Sequence, residues 1–464
     1  EALMVGRSQD MNETIRGRLR RGLGGQAFSQ VVNLAFQFGT VPLFLHFWDK
    51  SLYGEWLILA AFPAYLVISN LGFTNATSYE VTMRVSRDDT EGALRAFQTS
   101  WVFVTLISLA VAGLLLLGLF LAPLASWFNL TELTDGDAAV VLALLLIQIL
   151  FNIQTGIAAV GLMSAGQYGL QSYLTALTRL VSLVLIAGAL IAGARPLGVA
   201  IVFASVEAVG FLVVAVFAHR HSPWLAYGIA HASRETWRQL APPSLGFVGL
   251  TVANAISIQG PIIVLGAILG PSAVAVFATL RMLARAVVLF ANLAFSTLRP
   301  EIAIAYGKDD IDLVRRLNNR AIQFAAWLSM AAFVGLMIFG PAIVDFWTVG
   351  RIPAPRTLLG LLVIGGLSTM MWHAVATALY ATNNNRAIAA IYGISAASGL
   401  AVLALVTPMF GINGAAAALA IAEMAVVLLV VGRTMAFLDQ RFLSLVLAAL
   451  KPPTDVLRVL RRGS

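Results

Sequence analysis

The 464-residue sequence contains no cysteine. This absence excludes disulfides, thiol catalysis and thiolate metal sites. Charged residues are also scarce, at 11% of the chain, and no long polar stretch leaves room for a folded aqueous domain. The composition therefore argues against a soluble enzyme. It directs attention to the hydrophobic residues, which make up 59% of the sequence.

Long apolar runs of similar length follow one another, and short polar breaks separate them. Each run reaches the roughly 20 residues that a helix needs to cross a hydrocarbon core of about 30 Å. The mean hydropathy of +0.86 agrees with this interpretation. The sequence predicts an all-α polytopic membrane protein of twelve transmembrane helices, at about 23–47, 51–74, 96–122, 137–162, 170–192, 197–217, 243–268, 272–294, 320–344, 357–380, 387–408 and 412–434.

Lysine and arginine are distributed unevenly between these runs. With the amino terminus inside, 23 of the 30 lie on the cytoplasmic side, four lie in outer loops and three lie within helices. Cytoplasmic loops of helical membrane proteins carry an excess of positive charge. We therefore expect both termini in the cytoplasm, with membrane lipids as partners of the loop cations.

The second half of the sequence repeats the first. A shift of 216 residues places Glu207 on Glu423, and the correspondence runs without a gap from 151–214 onto 367–430. A shift of 221 aligns the preceding helices. Six helices per half is an even number, so both halves share one orientation and are related by an axis along the membrane normal. We expect two pseudo-symmetric six-helix lobes around a central cavity.

The longest polar break falls near the middle of the chain and is interpreted as a linker between the lobes. The predicted organisation is a basic cytoplasmic N-terminus at 1–22, an N-terminal lobe at 23–217, a cytoplasmic linker at 218–242, a C-terminal lobe at 243–434 and an amphipathic, basic cytoplasmic C-terminus at 435–464.

Two arginines interrupt the apolar run 272–294. Arg281 and Arg285 are four residues apart, which places them on one helical face. Arg281 lies about 13–14 Å into the helix, at about 1.5 Å per residue, close to the middle of the membrane. Each cation costs roughly 2.5–3.5 kcal/mol there. Both must face protein or a water-filled cavity, and a cationic cavity predicts an anionic ligand.

A third arginine, Arg179, lies at mid-depth in the fifth helix. Pairing with Glu207 on the next helix is one explanation, and a position facing the cavity is the other. The three arginines do not follow the repeat, because Arg179 corresponds to Ser395 and the other two correspond to alanines. An asymmetric cationic site on a symmetric scaffold is typical of recognition of one anionic ligand.

Polar side chains also follow single faces of other helices. In the first helix, Gln26, Gln30, Asn33 and Gln37 are spaced by 4, 3 and 4 residues, which is one face. This pattern favours a water-exposed surface, with interhelical hydrogen bonding as the alternative. Further candidate cavity residues are Asn254, His373 and Tyr380, and candidate coupling or structural carboxylates are Glu207, Glu423 and Glu55.

These features resemble the multidrug/oligosaccharidyl-lipid/polysaccharide (MOP) exporter superfamily. The residues that carry the resemblance are the two six-helix halves, the arginines of the eighth helix and three turns, SLYGEW at 51–56, SAGQ at 164–167 and ATNN at 381–384. The likeness is strongest to the polysaccharide branch, the Wzx-type O-antigen and exopolysaccharide flippases.

The resemblance implies a flippase that moves an undecaprenyl-pyrophosphate-linked oligosaccharide across the bacterial inner membrane for O-antigen, exopolysaccharide or capsule assembly. It implies that Arg281, Arg285 and Arg179 bind the diphosphate and that the polar helix faces, with His373 and Tyr380, contact the sugars. Polysaccharide polymerase and export proteins are the partners it suggests. We expect no enzymatic activity, cofactor, metal or nucleic-acid partner.

Two other classes compete with this reading. A cation- or proton-coupled multidrug exporter would use Glu207, Glu423 or His373 as its coupling group, but exporters of that kind carry an acidic residue in helix 1, where this chain has only amides. A membrane polymerase or ligase would need a sizeable outer loop or a carboxylate cluster, and the outer loops here are short.

Overall fold

The structure, a computed structural model, describes residues 2–70, 72–382 and 384–451, and side chains from Gly24 onward apart from a few further positions. The described residues form helices and short connections without any strand. The helices are α1 (Ala2–Phe47), α2 (Lys50–Ala61), a 3₁₀ helix (Pro63–Asn70), α3 (Phe73–Val85), α4 (Thr90–Leu121), α5 (Leu124–Trp127), α6 (Asp135–Ser164), α7 (Tyr168–Ile191), α8 (Pro196–His221), α9 (Arg234–Leu269), α10 (Pro271–Gly307), α11 (Ile311–Trp347), α12 (Arg356–Val375), α13 (Thr377–Ala381), α14 (Asn385–Leu438) and α15 (Phe442–Leu450).

Eleven of the described helical segments are long and apolar enough to cross a membrane. The longest helix, α14, has 54 residues and breaks at Gly411, where φ is 59° and ψ is −150°. That backbone conformation is essentially restricted to glycine. The two helical stretches on either side of Gly411 each exceed the roughly 20 residues that a crossing needs, so α14 accounts for both predicted crossings at 387–408 and 412–434. The prediction of an all-α polytopic membrane protein is confirmed.

Two predicted elements differ locally from the structure. The predicted helix 51–74 is not continuous, because α2 ends at Ala61 and a 3₁₀ helix starts at Pro63. Proline lacks an amide hydrogen and clashes with the preceding helical turn, so it interrupts an α-helix. The charged stretch 79–95, which lies between the predicted helices 51–74 and 96–122, contributes to helices α3 and α4.

The described chain divides into two compact units, Glu1–Val248 and Gly249–Ser464, called here the N-terminal unit and the C-terminal unit. In the N-terminal unit, α6 packs on α8 and α3 packs on α4. In the C-terminal unit, α12 packs on α14 and α10 packs on α11. These pairs are the ones that the internal repeat relates. The core of the second unit contains Trp372, Leu379 and Val430, all buried.

The predicted linker 218–242 contains the end of α8, the start of α9 and a short irregular segment between them. That segment is bonded to α4 of the N-terminal unit: the side-chain amide of Gln98 donates to the carbonyl of Ala226 at 3.0 Å and accepts from the amide of His231 at 2.9 Å. The side chains of the predicted basic N-terminus 1–22, the end of the predicted C-terminal segment (452–464) and Asn383 lie outside the described residues.

Candidate anion site

Arg281 and Arg285 lie on α10 and line one cavity within the C-terminal unit. The cavity has a volume of about 20 Å³, room for about one water molecule, and α12 and α14 supply its other walls. Gly366 of α12 allows the close approach of this helix to α10, since a Cβ there would lie 2.8 Å from the carbonyl oxygen of Ala284. The side chains that share the cavity with the two arginines are Leu361, Leu362, Thr369, Ala416, Leu419, Ala420 and Glu423.

Arg281 is bonded to the backbone of α9. Its Nη2 donates to the carbonyl of Ser257 at 2.7 Å, and its Nη1 donates to that of Ile258 at 3.2 Å. In a regular helix the carbonyl of Ser257 would accept from the amide of residue 261, but that residue is Pro261 and has no amide hydrogen. Arg281 therefore satisfies a carbonyl that the proline leaves unpaired. This contact gives Arg281 a structural function as well as a charge.

Arg285 differs from Arg281 in its partners. Its guanidinium group makes no hydrogen bond and no ion pair with any residue that the structure describes. It is half-buried and faces the cavity. A guanidinium group presents five donors in a planar fork that matches carboxylate and phosphate geometry. Arg285 is thus a half-buried cation with its donors available.

Glu423 is the carboxylate of this cavity. It is 8% exposed and accepts a hydrogen bond from the indole nitrogen of Trp372 at 3.0 Å. It also lines a neighbouring cleft with Ser257 and Tyr392. One carboxylate beside two guanidinium groups leaves the cavity with a net positive charge, which favours an anion.

The C-terminal part of α10 carries a further arginine, Arg299, beyond the end of the predicted crossing 272–294. The guanidinium carbon of Arg299 lies 4.9 Å from the ring centroid of Tyr380. Tyr380 in turn stacks near His373, with ring centroids 6.1 Å apart, and His373 stacks on Trp372 at 3.8 Å. The predicted residues His373 and Tyr380 therefore lie together. The sequence contains a signal for Arg299, because it follows Arg285 by 14 residues. That spacing is close to four turns of an α-helix and places both arginines on nearly the same face.

In the N-terminal unit, the proposed pairing of Arg179 with Glu207 is wrong as a direct contact. The Nη1 of Arg179 donates to the side-chain oxygen of Asn33 on α1. Glu207 accepts instead from the side-chain amide of Asn152 at 3.5 Å, and it remains within electrostatic reach of Arg179. The reason is that α7 packs closely on α1, so the guanidinium group meets the amide of α1 first. Asn33 thus holds a cation within its own unit.

The remaining amides are exposed on their units. Gln26, Gln30 and Gln37 are exposed along α1, and Asn254 is exposed on α9. Their contact with a sugar stays a prediction.

Glu55 is completely buried and binds the connection between α5 and α6 of its own unit. Its Oε1 accepts from the backbone amides of Thr131 at 2.6 Å and Glu132 at 2.9 Å. These contacts favour the structural interpretation of Glu55 over a coupling function. No group of three or more histidine or acidic residues within the described part of the chain is arranged to hold a metal ion.

Comparison with known proteins gives a similarity of fold. No protein-family model matches the chain, and no curated protein matches its sequence. Among solved structures, the chain is similar to an inward-facing multidrug resistance MATE transporter of the MOP superfamily, with a TM-score of 0.72 and 16% identity over 88% of this chain and 98% of that one.

The chain is also similar to the lipid II flippase MurJ in an inward closed conformation, with a TM-score of 0.69 and 15% identity over 92% of this chain and 90% of that one. A MATE protein in the bent conformation gives a TM-score of 0.55 and 14% identity, over 92% and 97% of the two chains. These similarities show that the chain has the fold of MOP superfamily proteins and is a multi-pass membrane protein. They include both multidrug and lipid-linked branches.

Proposed function

We propose that the protein is a flippase that binds the diphosphate of a polyprenyl-linked oligosaccharide and moves the headgroup across the bacterial inner membrane. The observation that carries this proposal is Arg285, a half-buried cation whose donors have no partner among the described residues and which faces a cavity beside Arg281. An unpaired cation at this depth costs roughly 2.5–3.5 kcal/mol, and a bound anion offsets that cost.

A diphosphate is the anion that suits these donors. It offers several oxygen acceptors close together, and arginine binds such groups through paired charge-assisted hydrogen bonds. In this proposal Arg285 makes the direct contact. Arg281 adds positive charge while it remains on the carbonyls of Ser257 and Ile258. No covalent step is required, so no catalytic residue is assigned.

The exposed amides of α1 extend the proposal to the glycan. Gln26, Gln30 and Gln37 present carbonyl and amino groups that match sugar hydroxyls. The polyprenyl tail would remain in lipid while the headgroup moves. Polymerase and export proteins of polysaccharide assembly are the partners that such a flippase would supply with substrate, and both termini would lie in the cytoplasm.

A coupled multidrug exporter is the second candidate, and the fold favours it as much as the first, since MATE transporters are among the structural neighbours. Glu423, a buried carboxylate next to two arginines, would be its coupling group. The net positive charge of the cavity argues against cationic drugs as the cargo. In the N-terminal unit, the side-chain oxygen of Asn33 on α1 accepts a hydrogen bond from Arg179, which is itself a cation.

The test is binding of undecaprenyl diphosphate to the purified full chain, measured by native mass spectrometry at several salt concentrations. We expect salt-sensitive binding by the wild type and its loss in Arg285→Ala. Arg316→Ala, at an exposed arginine of α11, is the matched control and should bind like the wild type. Equal binding by Arg285→Ala and wild type, or gradient-driven dye efflux from proteoliposomes without lipid binding, would favour the exporter instead.

A further inference from the structure

One face of α10 carries a polar residue at every second turn. Arg285, Asn292 and Arg299 are each seven residues apart, and seven residues complete about two turns of an α-helix. A neighbouring face of the same helix, with Val288, Ala291 and Phe295, packs into a buried core. The polar face therefore runs from the cavity of Arg285 to the C-terminal part of the helix.

We propose that Arg299, with Tyr380 and His373, forms a second binding station for the same lipid diphosphate, which the ligand occupies before it reaches Arg285. This inference rests on the proposed function, since it names a further site for the same ligand. It adds a residue that neither the repeat nor the apolar pattern singles out.

The first support is the geometry around Arg299. Its guanidinium carbon stands 4.9 Å from the ring centroid of Tyr380, a contact that orients the cation without satisfying its hydrogen-bond donors. His373 lies within electrostatic reach of both Arg285 and Arg299. The aromatic pair thus bridges the region between the two arginines and holds the second in place.

The second support is a set of buried polar atoms without partners. They are the Nε of Arg299, the Nδ1 of His373 and the Oδ1 of Asn292, and each is buried without a hydrogen bond. A buried polar group without a partner costs about 1–3 kcal/mol. Three of them on facing parts of α10 and α12 are accounted for by a polar ligand that passes between Arg299 and Arg285.

Distance decides how the stations would be used. Fourteen residues correspond to about 21 Å along the helix axis at about 1.5 Å per residue. One diphosphate group is far too short to contact both arginines, so it occupies them in succession. The charge pattern predicts that the C-terminal end of α10 faces the cytoplasm, where the headgroup of a newly made lipid-linked glycan lies. Arg299 would then capture the ligand and Arg285 would bind it at mid-depth.

The experiment measures binding of undecaprenyl diphosphate, which carries no sugar, to the full chain in detergent. Arg299→Ala should weaken binding about tenfold, equivalent to about 1.4 kcal/mol. Arg299→Lys, which keeps the charge, should lose less. Tyr380→Ala, which removes the ring beside the guanidinium group, should resemble Arg299→Ala. Arg316→Ala again controls for the loss of one surface charge.

The outcomes separate this inference from the proposed function. If the wild type and Arg285→Ala do not differ, the proposed function fails. If Arg285→Ala loses binding while Arg299→Ala and Arg316→Ala retain it, only the second station is refuted. Were Arg299→Ala to weaken the binding of a glycan-linked diphosphate but not of undecaprenyl diphosphate, Arg299 would contact an acidic sugar, and capture of the diphosphate would be ruled out. Thermal unfolding of each variant shows whether a loss of binding reflects misfolding.

Discussion

The polar groups inside the two units differ in how their charges are compensated. In the N-terminal unit, Arg179 is bonded to Asn33 and lies within reach of Glu207, so one cation meets one carboxylate. In the C-terminal unit, Arg281 and Arg285 share one cavity carboxylate, Glu423, and Arg299 lies against the ring of Tyr380. The carboxylates occupy corresponding positions of the repeat, whereas the additional cations do not.

This difference separates scaffold from recognition. A carboxylate that is present in both units serves a structural function in each. In the C-terminal unit, Glu423 accepts a hydrogen bond from the indole nitrogen of Trp372. Cations that are present in one unit only serve a function that the other unit does not share. The excess positive charge therefore assigns the anionic ligand of the proposed function to the C-terminal unit. Four predictions test this comparison.

The largest effect is expected when one arginine of each unit is replaced by alanine and the two variants are compared in the same binding assay. Arg285→Ala should reduce the affinity for undecaprenyl diphosphate by about a hundredfold, because two charge-assisted hydrogen bonds are worth about 3 kcal/mol or more. Arg179→Ala should change affinity by less than about twofold. Native mass spectrometry gives both values. A loss of affinity in Arg179→Ala as large as in Arg285→Ala would remove the distinction between the units.

The second effect concerns the helix contact that shapes the cavity. Gly366→Ala should destabilise the protein by about 1–3 kcal/mol, since its Cβ would lie 2.8 Å from the carbonyl of Ala284. Its neighbour provides the control, because a Cβ on Gly365 meets its nearest atom at an ordinary 3.6 Å. Thermal unfolding in detergent should show a lower midpoint for Gly366→Ala only. Similar midpoints for both variants would mean that α12 has room to move.

The third prediction tests why Arg281 and Arg285 differ. Arg281→Ala should lower stability by about 1–3 kcal/mol, because the carbonyl of Ser257 loses its donor. In a Pro261→Ala background the loss should be smaller, since the new amide hydrogen at 261 supplies that donor. The double-mutant cycle should give a coupling of about 0.5–3 kcal/mol. Additive effects would show that Arg281 does not compensate for the proline.

The smallest effect is expected at Glu423 and Glu207, the carboxylates that occupy corresponding positions of the repeat. Glu423→Gln removes the negative charge of the cavity and should tighten diphosphate binding several-fold, while the amide oxygen still accepts from Trp372. Glu207→Gln should leave binding unchanged, because that residue lies in the other unit. Titration with the lipid measures both. If the two substitutions act alike, the carboxylates contribute through the net charge of the whole protein.

Much of the architecture could be predicted from the sequence. The lengths of the apolar runs predicted the crossings, including the two within α14, because hydrocarbon thickness fixes the helix length. The depth of Arg281 and Arg285 followed from the same rise per residue. Helix continuity was harder, as the change to a 3₁₀ helix at Pro63 shows, because a proline can end, kink or merely tighten a membrane helix.

The sequence by itself determined the helical membrane fold, the internal repeat and the presence of arginines within apolar runs at positions that the repeat does not match. Only the tertiary structure decided which cation is available. Arg281 is engaged because Pro261, on another helix, leaves a carbonyl within its reach. Arg179 reaches Asn33 rather than Glu207 because α7 packs on α1. Periodicity specifies the face on which a side chain lies, but its partner depends on the neighbouring helix and on the backbone groups that this helix leaves unpaired.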